Sequence, residues 1–414
     1  MKFDVAVLGA GIVGISTALH LQARGASVAL VDRRGPGEET SFGNAGIIQR
    51  EGVHPYLFPR DWRRLARTAL GRGTEARYQT ASLPHVAGFL WRYWRASAPE
   101  QARRTLAANI PLFERCLVEH GELAEASGAG NLIAKGGWIG LFRQMERARR
   151  AEPEIAELKS MGLDVAMLTP GEFARLEPHV ATERLAAAVH YRDPWTVSDP
   201  GALSKAYAAL FAARGGKMVT ADARTTRRDG QGWKIDGAEP VEAQRIVVAL
   251  GPWSKPFLDM HGLRLPMGVK RGYHRHYRPG PGAGLNRPVI DEEAGFVLAP
   301  MARGIRLTTG AEFAALDAPA RPVQVERCLP IARQWLDLAD SPDAQAWLGA
   351  RPAFPDLLPA IGQAPGLPGV FLNFGHAHHG LTLGPATGRL LAEIMSGQTA
   401  FTDPAPYGAG RFSG

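Results

Sequence analysis

A strand–glycine turn–helix–strand unit opens the 414-residue chain, a buried strand near residue 250 runs into a second glycine turn, and helical and mixed-strand stretches separate the two. Together these predict α/β joined to α+β: a Rossmann-like dinucleotide-binding domain with a discontinuous mixed-sheet domain inserted into it. The length fits two or three domains at roughly 100–200 residues each. Hydrophobic residues are 45% and charged residues 21%, the balance of a folded globular chain, and 48 Gly with 31 Pro form no collagen-like or disordered tract. Two cysteines exclude a disulfide framework and a four-thiolate metal site.

Residues 3–8, Phe-Asp-Val-Ala-Val-Leu, read as a buried parallel strand. Gly9-Ala10-Gly11-Ile12-Val13-Gly14 follows, then a helix from Ile15 to Arg24 stopped by Gly25, then a strand from Ser27 to Val31 ending in Asp32. Gly9 permits the tight turn, Gly11 lets backbone approach a pyrophosphate, and Gly14 lets helix pack on strand. Ile12 and Val13 belong to the helix entry, where free N–H groups favour a phosphate charge. Asp32, 18 positions after Gly14, can accept from both ribose hydroxyls and would repel a 2′-phosphate. Arg33 and Arg34 leave NADP open, or are solvated. Thr40-Ser41-Phe42-Gly43-Asn44-Ala45-Gly46 is a small polar loop where a classical NAD half would place its next strand. It reads either as a surface turn or as a bed for a flavin, with Ser41 near the pyrophosphate and Thr40, Asn44, Ala45, Gly46 and Ile47 alongside.

Farther on, residues 80–127 carry helical periodicity around Trp91, Trp94, Leu106, Ile110, Phe113 and Leu117, with the aromatics expected in the core. Residues 135–142 read as a strand, 144–160 as an amphipathic helix, and Thr169-Pro170-Gly171-Glu172 as a helix start. A strand is expected near 186–195, and Asp199-Pro200-Gly201 opens a helix to Arg214 that Gly215-Gly216 ends. Residues 217–220, including Val219, are expected as the third strand of the dinucleotide sheet, followed by short strands at 223–227 and 233–235. Residues 245–254 form a buried strand that delivers Ala249, Leu250, Gly251 and Trp253 into a turn. A strand over 267–277, a helix over 325–338, a strand over 370–373 and a helix from Gly380 to Met395 complete the order. The nucleotide-binding domain is thereby assigned to 1–80, 195–260 and 340–414, and the substrate domain to 81–194 and 261–339. A small ligand is expected in the crevice between them.

Gly9–Gly14, Asp32 and the Thr40–Gly46 loop resemble the FAD-dependent D-amino acid dehydrogenase family, within the wider group of D-amino acid oxidase, glycine oxidase and sarcosine oxidase. The C-terminal part is similar too: Arg351-Pro352, then Pro355-Asp356-Leu357-Leu358-Pro359-Ala360-Ile361-Gly362, then Asn373-Phe374-Gly375-His376, then Gly380-Leu381-Thr382-Leu383-Gly384-Pro385-Ala386-Thr387-Gly388. The resemblance covers nearly the whole chain, is strongest at 3–47 and 346–397, and is weak between about 60 and 190. It implies FAD as cofactor and places the 245–254 turn beside the pyrophosphate. Cys116 and Cys328 fall in helical patterns and match no flavin-attachment motif, so non-covalent FAD is expected.

Oxidising an amine on a flavin needs the donor carbon over flavin N5, a neutral amine, and stabilisation of charge near N1 and the C2 oxygen. Gly380-Leu381-Thr382, as a helix start, would aim free N–H groups at the flavin pyrimidine; as bare sequence it is any strand-to-helix junction. A substrate carboxylate needs a fork of donors, best met by arginine. Arg351 stands in Gly349-Ala350-Arg351-Pro352, which resembles the family's Gly-Leu-Arg-Pro or Gly-Arg-Arg-Pro, where the arginine grips the carboxylate; Ala350 is a mild departure. The alternative is an arginine bonding backbone carbonyls. Alternation sends Tyr273 and His274 to opposite faces of their strand, so one of them is expected at the substrate. Arg306 is a second cationic candidate. His376, His378 and His379 crowd one turn, but no nearby carboxylate completes a metal site, and none is assigned. His379 is instead a candidate for a bond to the flavin ring or for taking the amine proton. His54 and Tyr56 would line the pocket, with Pro55 and Pro59 in a covering loop.

The resemblance implies hydride transfer to flavin N5 from the amine-bearing carbon of a D-amino acid or a cyclic imino acid such as D-proline or hydroxyproline. The Lys270–His274 stretch and Trp195 depart from the D-alanine-type pattern, which favours a bulky or cyclic substrate. One rival is a sarcosine-type N-methyl or secondary amine oxidase. Another is a non-catalytic or RNA-associated flavoprotein, which the +8 formal charge keeps in play. Against it, arginines recur throughout and no basic block with interleaved aromatics marks a nucleic-acid site. The electron acceptor stays open among a quinone, an electron-transfer protein and O2. Met1-Lys2-Phe3-Asp4 places an acid where a secretory leader has its apolar core. No run approaches the ~20 apolar residues of a membrane span. The cytoplasm is the expected location, with peripheral contact at the inner membrane face left open.

Overall fold

In the computed structural model residues 1–61, 65 and 73–412 are described; positions 62–64, 66–72, 413 and 414 of the expected nucleotide-binding segments lie outside them. Lys2–Leu8, Val28–Asp32, Lys217–Thr220 and Val241–Val248 pair in parallel, in the order 217–220, 28–32, 2–8, 241–248. Val5, Ala6, Val7 and Leu8 are all at 0% exposure, as expected of a strand covered on both faces. Val370–Phe374 joins Val241–Val248 in parallel, and Ala360–Gln363 pairs antiparallel with it. Gly232–Ile235 and Arg227–Asp229 extend the sheet antiparallel.

Two helices cross over this sheet in direct contact. The first, Ile12–Gln22, follows the glycine turn, and the last, Gly380–Met395, lies against it. A Cβ on Gly388 would stand 2.8 Å from the Thr17 nitrogen, and one on Gly384 would stand 3.4 Å from Val13. Glycine therefore sets how closely the helices approach.

The second sheet is mixed and ten-stranded among the described residues, running 76–78, 311–313, 268–277, 304–308, 296–301, 289–291, 138–142, 187–191 and 165–168. Trp347–Ala353 pairs antiparallel with Gly268–Tyr277, so Arg351 lies opposite Lys270. Strands 76–78 and 347–353 thus belong to the mixed sheet although they fall in segments expected with the nucleotide-binding half. Ile47–Ile48, Trp195–Val197 and Ile133–Lys135 make a small third sheet at the junction.

Several elements differ from expectation for local reasons. The 80–127 helical stretch is two helices, Leu83–Ala96 and Pro99–Ala126, because Pro99 lacks an N–H and Ala98 before it is extended. Trp91 is not core but 58% exposed, stacked on Trp94, while Val86, Phe89 and Tyr93 fill the buried face. The 135–142 strand is cut by Gly136 and Gly137, both at positive φ, and a Cβ on Gly137 would meet the Tyr191 carbonyl at 1.6 Å. Ala223–Thr225 is a single 3-10 turn capped by Asp222, with the strand following at Arg227–Asp229. The helix expected over 325–338 spans Val323–Ala332, and its chain then turns so that Trp335 is buried beneath Asp291.

Candidate functional site

A cleft of about 1120 Å³ runs between the two sheets, above the roughly 300–1,000 Å³ of ordinary small-molecule sites. One wall is the glycine turn and its neighbours: Gly9, Gly11, Ile12, Val13, Asp32 and Arg33 line it. Gly9 has φ +108°, and a Cβ there would stand 2.4 Å from the Ala249 carbonyl oxygen; at Gly14 it would stand 1.8 Å from the Gly9 oxygen. Asp32 holds the turn shut, accepting from the Ala10 N–H at 2.7 Å and the Arg34 N–H at 2.9 Å. Ser41 Oγ accepts from the Ile12 N–H at 3.0 Å, joining the polar loop to the helix entry. Arg33 lies over the Trp253 ring and pairs with Glu39, to which Arg34 also reaches. Ala249, Leu250, Gly251 and Trp253 close this end of the cleft. Val219 lies within the sheet opposite Val31, and the residues just after its strand, Ala221 to Arg224, meet the cleft instead.

The 40–46 loop is braced from the mixed sheet. Thr40 Oγ1 donates to the Ala350 carbonyl at 3.1 Å, and Asn44 Oδ1 accepts from the Gly46 N–H at 2.9 Å. Arg306 does not point at a substrate position: its Nη1 donates to the carbonyls of Phe42 and Asn44. Its Nε donates to His276 Nε2, and His276 in turn bonds Asp343. Trp347 fills the space a side chain on Gly43 would need, and His274 stacks on Trp347 with its Nδ1 3.3 Å from the Gly43 carbonyl. Ala45 and Ile47 line the cleft beyond this brace.

Gly380 and Leu381 bring the N-terminus of the last helix to the cleft, where first-turn amides have no intrahelical acceptor. Thr382 Oγ1 accepts from the Gln49 N–H at 3.1 Å and so ties the helix start to the segment after the loop. Pro385 has no N–H for the Leu381 carbonyl, and buried His120 Nε2 donates to that oxygen at 2.7 Å. Burial lowers the His120 pKa to about 4, keeping it neutral in this role.

The opposite wall carries buried charge. Arg351 lines the cleft, and its Nη1 is buried with no hydrogen-bond partner in the protein. Burial lowers its pKa to about 10. A Cβ on Gly272 would stand 2.4 Å from that Nη1, so glycine here makes room for the guanidinium. Beside it, Lys270 donates to the Tyr93 hydroxyl at 2.8 Å; burial first, then the Arg351 charge, lowers the lysine to about 7. The Tyr93 hydroxyl donates to the Tyr56 carbonyl. Tyr56 is 51% exposed, with that surface turned into the cleft, and stacks on His379 and against His378. His376, His378 and His379 are held neutral by burial, His376 at about 3 and His379 at about 4, and His376 bonds Thr387. His54 lines the cleft 3.5 Å from Glu157. Tyr273 spends its hydroxyl elsewhere, donating to Glu312 and accepting from Arg271 and the Arg321 N–H.

The structure therefore brings Arg351, Tyr56, His378, Gly380 and Leu381 to one cleft with the glycine turn, with His379 stacked on Tyr56. It places His274 and Arg306 in the brace beneath the loop, and Tyr273 along the cleft with its hydroxyl tied to Glu312. Sequence reasoning missed Lys270, Glu51 and Glu292, the last two also lining the cleft. Lys270 had a signal, since alternation puts it on the same strand face as Gly272. Among the described residues no group of three or more His, Cys, Asp or Glu converges as a metal site, and neither cysteine lines the cleft.

The turn with no room for side chains at Gly9 and Gly14, the acid at Asp32 and the exposed amides at Gly380 fit a dinucleotide laid from the first helix to the last. A family model described as FAD dependent oxidoreductase matches residues 4–394. The chain is 30% identical to a D-amino-acid oxidase from Bradyrhizobium diazoefficiens, covering 99% of this chain and 98% of that one. It is 29% identical to a D-amino acid dehydrogenase from Paramagnetospirillum magneticum, covering 99% of each. Glycine oxidase from Geobacillus kaustophilus has the same fold, with a TM-score of 0.74 and 24% identity over 99% of both chains. Cleft, glycine turn and full-length likeness agree, and the chain belongs to the DAO family of FAD-dependent oxidoreductases.

Proposed function

We propose that this protein oxidises the amine-bearing carbon of D-amino acids or cyclic imino acids, with Arg351 gripping the substrate carboxylate. The observation that carries this is the buried Arg351 Nη1 that no protein group satisfies, in a cleft shared with the cofactor wall. An unpaired buried guanidinium donor is costly, and a carboxylate meets it with two parallel bonds. The names of the D-amino-acid oxidase and D-amino acid dehydrogenase relatives support the same substrate class.

Bound FAD supplies the two-electron oxidation of the C–N bond. Gly9 and Gly11 would leave room for its phosphates, Asp32 would accept from its ribose hydroxyls, and the Gly380–Leu381 amides would favour negative charge on its ring. Arg351 orients the substrate, and Lys270 beside it adds a proton-exchanging group whose charge state changes near neutral pH. Tyr56, stacked on His379, covers the pocket and limits water. His379 is too weak a base in this setting to hold the amine proton, and the substrate is taken up as its neutral amine or loses its proton to the solvent-facing mouth.

The test is anaerobic absorbance of the purified protein mixed in turn with D- and L-alanine, D- and L-arginine, and D- and L-proline. Bleaching of the oxidised-flavin band by D-forms is the expected result. A flavin that no amino or imino acid bleaches overturns the proposal.

A further inference from the structure

One end of the cleft is acidic, and the oxidation itself gives these carboxylates no task. Glu51, Glu154 and Glu292 line the cleft there, with Trp138, Phe142 and Tyr191 as its apolar lining. Glu51 is only 6% exposed; its Oε1 accepts from Trp138 Nε1 at 2.7 Å and from Gln49, and its Oε2 has no partner. Gly140 leaves the space Glu292 occupies, since a Cβ there would stand 3.1 Å from the carboxylate. The neighbouring acids are already used: Asp291 takes Arg143 and Trp335, and Glu293 takes the Arg143 N–H.

Among the described residues the cations nearby do not balance this end. Arg150 pairs with Glu146, and Arg147 donates to the Glu292 carbonyl rather than its carboxylate. Among the described residues Arg147 is the cation that acts on Glu292, against three carboxylates at this end. Tyr56 lines the same cleft, within electrostatic reach of Glu51, Glu292 and Glu154 and also of Arg351. Trp138 and Tyr191 stack at 4.2 Å, presenting a flat aromatic surface beside the acids of the kind that holds guanidinium or ammonium groups.

We infer that this acidic end is a side-chain subsite that selects substrates carrying a second cation, an amino or guanidino group at the tip, as in D-arginine or D-lysine. The inference rests on the reading that Arg351 holds the carboxylate at the other end. Without a cation, burial raises Glu51 to about 7 and Glu292 to about 8. A bound cation favours their ionised forms and releases protons.

The experiment compares D-arginine with D-citrulline, its neutral near-isostere, by steady-state kinetics of the holoenzyme. The expected result is a kcat/KM at least ~100-fold higher for D-arginine, carried mainly by KM, as for a desolvated charge pair. Glu51→Gln and the more exposed Glu154→Gln each reduce that ratio by raising KM for D-arginine. Equal constants for the two substrates in the wild-type protein overturn the inference while leaving the reading of amine oxidation intact. Oxidation of D-proline or D-alanine with neither D-arginine nor D-citrulline turned over also overturns it. If nothing bleaches the flavin, both readings fall together.

Discussion

Gly9, Gly11 and Gly14 lie within six residues and build a backbone wall, whereas Arg351, Glu51 and Glu292 come from separate segments and bring ionisable side chains to the cleft, with Lys270 paired across from Arg351. The first wall is rigid because nothing larger fits: at Gly14 an added carbon meets backbone at 1.8 Å. The second wall depends on charges held out of water with incomplete partners, which is how a protein keeps donors available for a substrate at a cost in its own stability. The contrast separates cofactor retention from substrate choice, and each can be damaged without the other.

Gly14→Ala attacks the backbone wall. It is expected to yield protein without the yellow flavin band, measured as FAD released on heat denaturation per mole of chain; full occupancy would break the contrast. Arg351→Met attacks the charged wall. Loss of two charge-assisted bonds at about 1.5–3 kcal/mol each predicts a fall in kcat/KM of roughly 10²–10⁴-fold, with flavin content retained. A variant that instead loses flavin would show that Arg351 belongs to cofactor binding. Gly272→Ala pushes on the guanidinium from below and is expected to raise KM by about tenfold with a smaller change in kcat, because a displaced fork weakens orientation before chemistry. Arg351→Met and Gly272→Ala together should then be little worse than Arg351→Met alone.

The smallest effect is on stability against pH. Burial holds the folded-state pKa of Glu51 and Glu292 above the unfolded value, so their contribution is fully present below about 4.5 and is lost as pH rises through about 7 and about 8. The Glu51→Gln, Glu292→Gln double variant should therefore flatten the fall in melting temperature between pH 5 and 8, by about 1–3 °C. An unchanged slope would mean that these carboxyls are ionised and solvated in the cleft.

The same division governs what could be read in advance. The glycine turn, Asp32 and the last helix announce themselves because their geometry is written in consecutive residues. Arg351 was legible only through its Arg-Pro neighbourhood. Glu51, Glu292 and Lys270 were not: Glu51 and Glu292 sit in turns that the fold carries to the cleft, and Lys270 comes beside Arg351 only through pairing of distant strands. Arg306 and Tyr273 show another limit: a charged or hydroxyl side chain on a strand near a site finds protein partners, Arg306 the carbonyls of the loop and Tyr273, though it lines the cleft, the Glu312 carboxylate. Trp91 misled for another reason. Its helix lies at the surface, where two stacked indoles shield each other without entering the core.

The contact between the first and last helices bears on how the protein is made. The glycine turn leaves the ribosome early, but the helix that packs on it at Gly384 and Gly388, and supplies amides at Gly380, is synthesised some 370 residues later. Until then Val241–Val248 lacks its neighbour at Val370–Phe374, and the first helix lacks its cover over Val13 and Thr17. Domains that emerge first usually fold first. Here the nucleotide-binding half has to wait for residues 370–395, so capture of FAD is expected only after that segment is made.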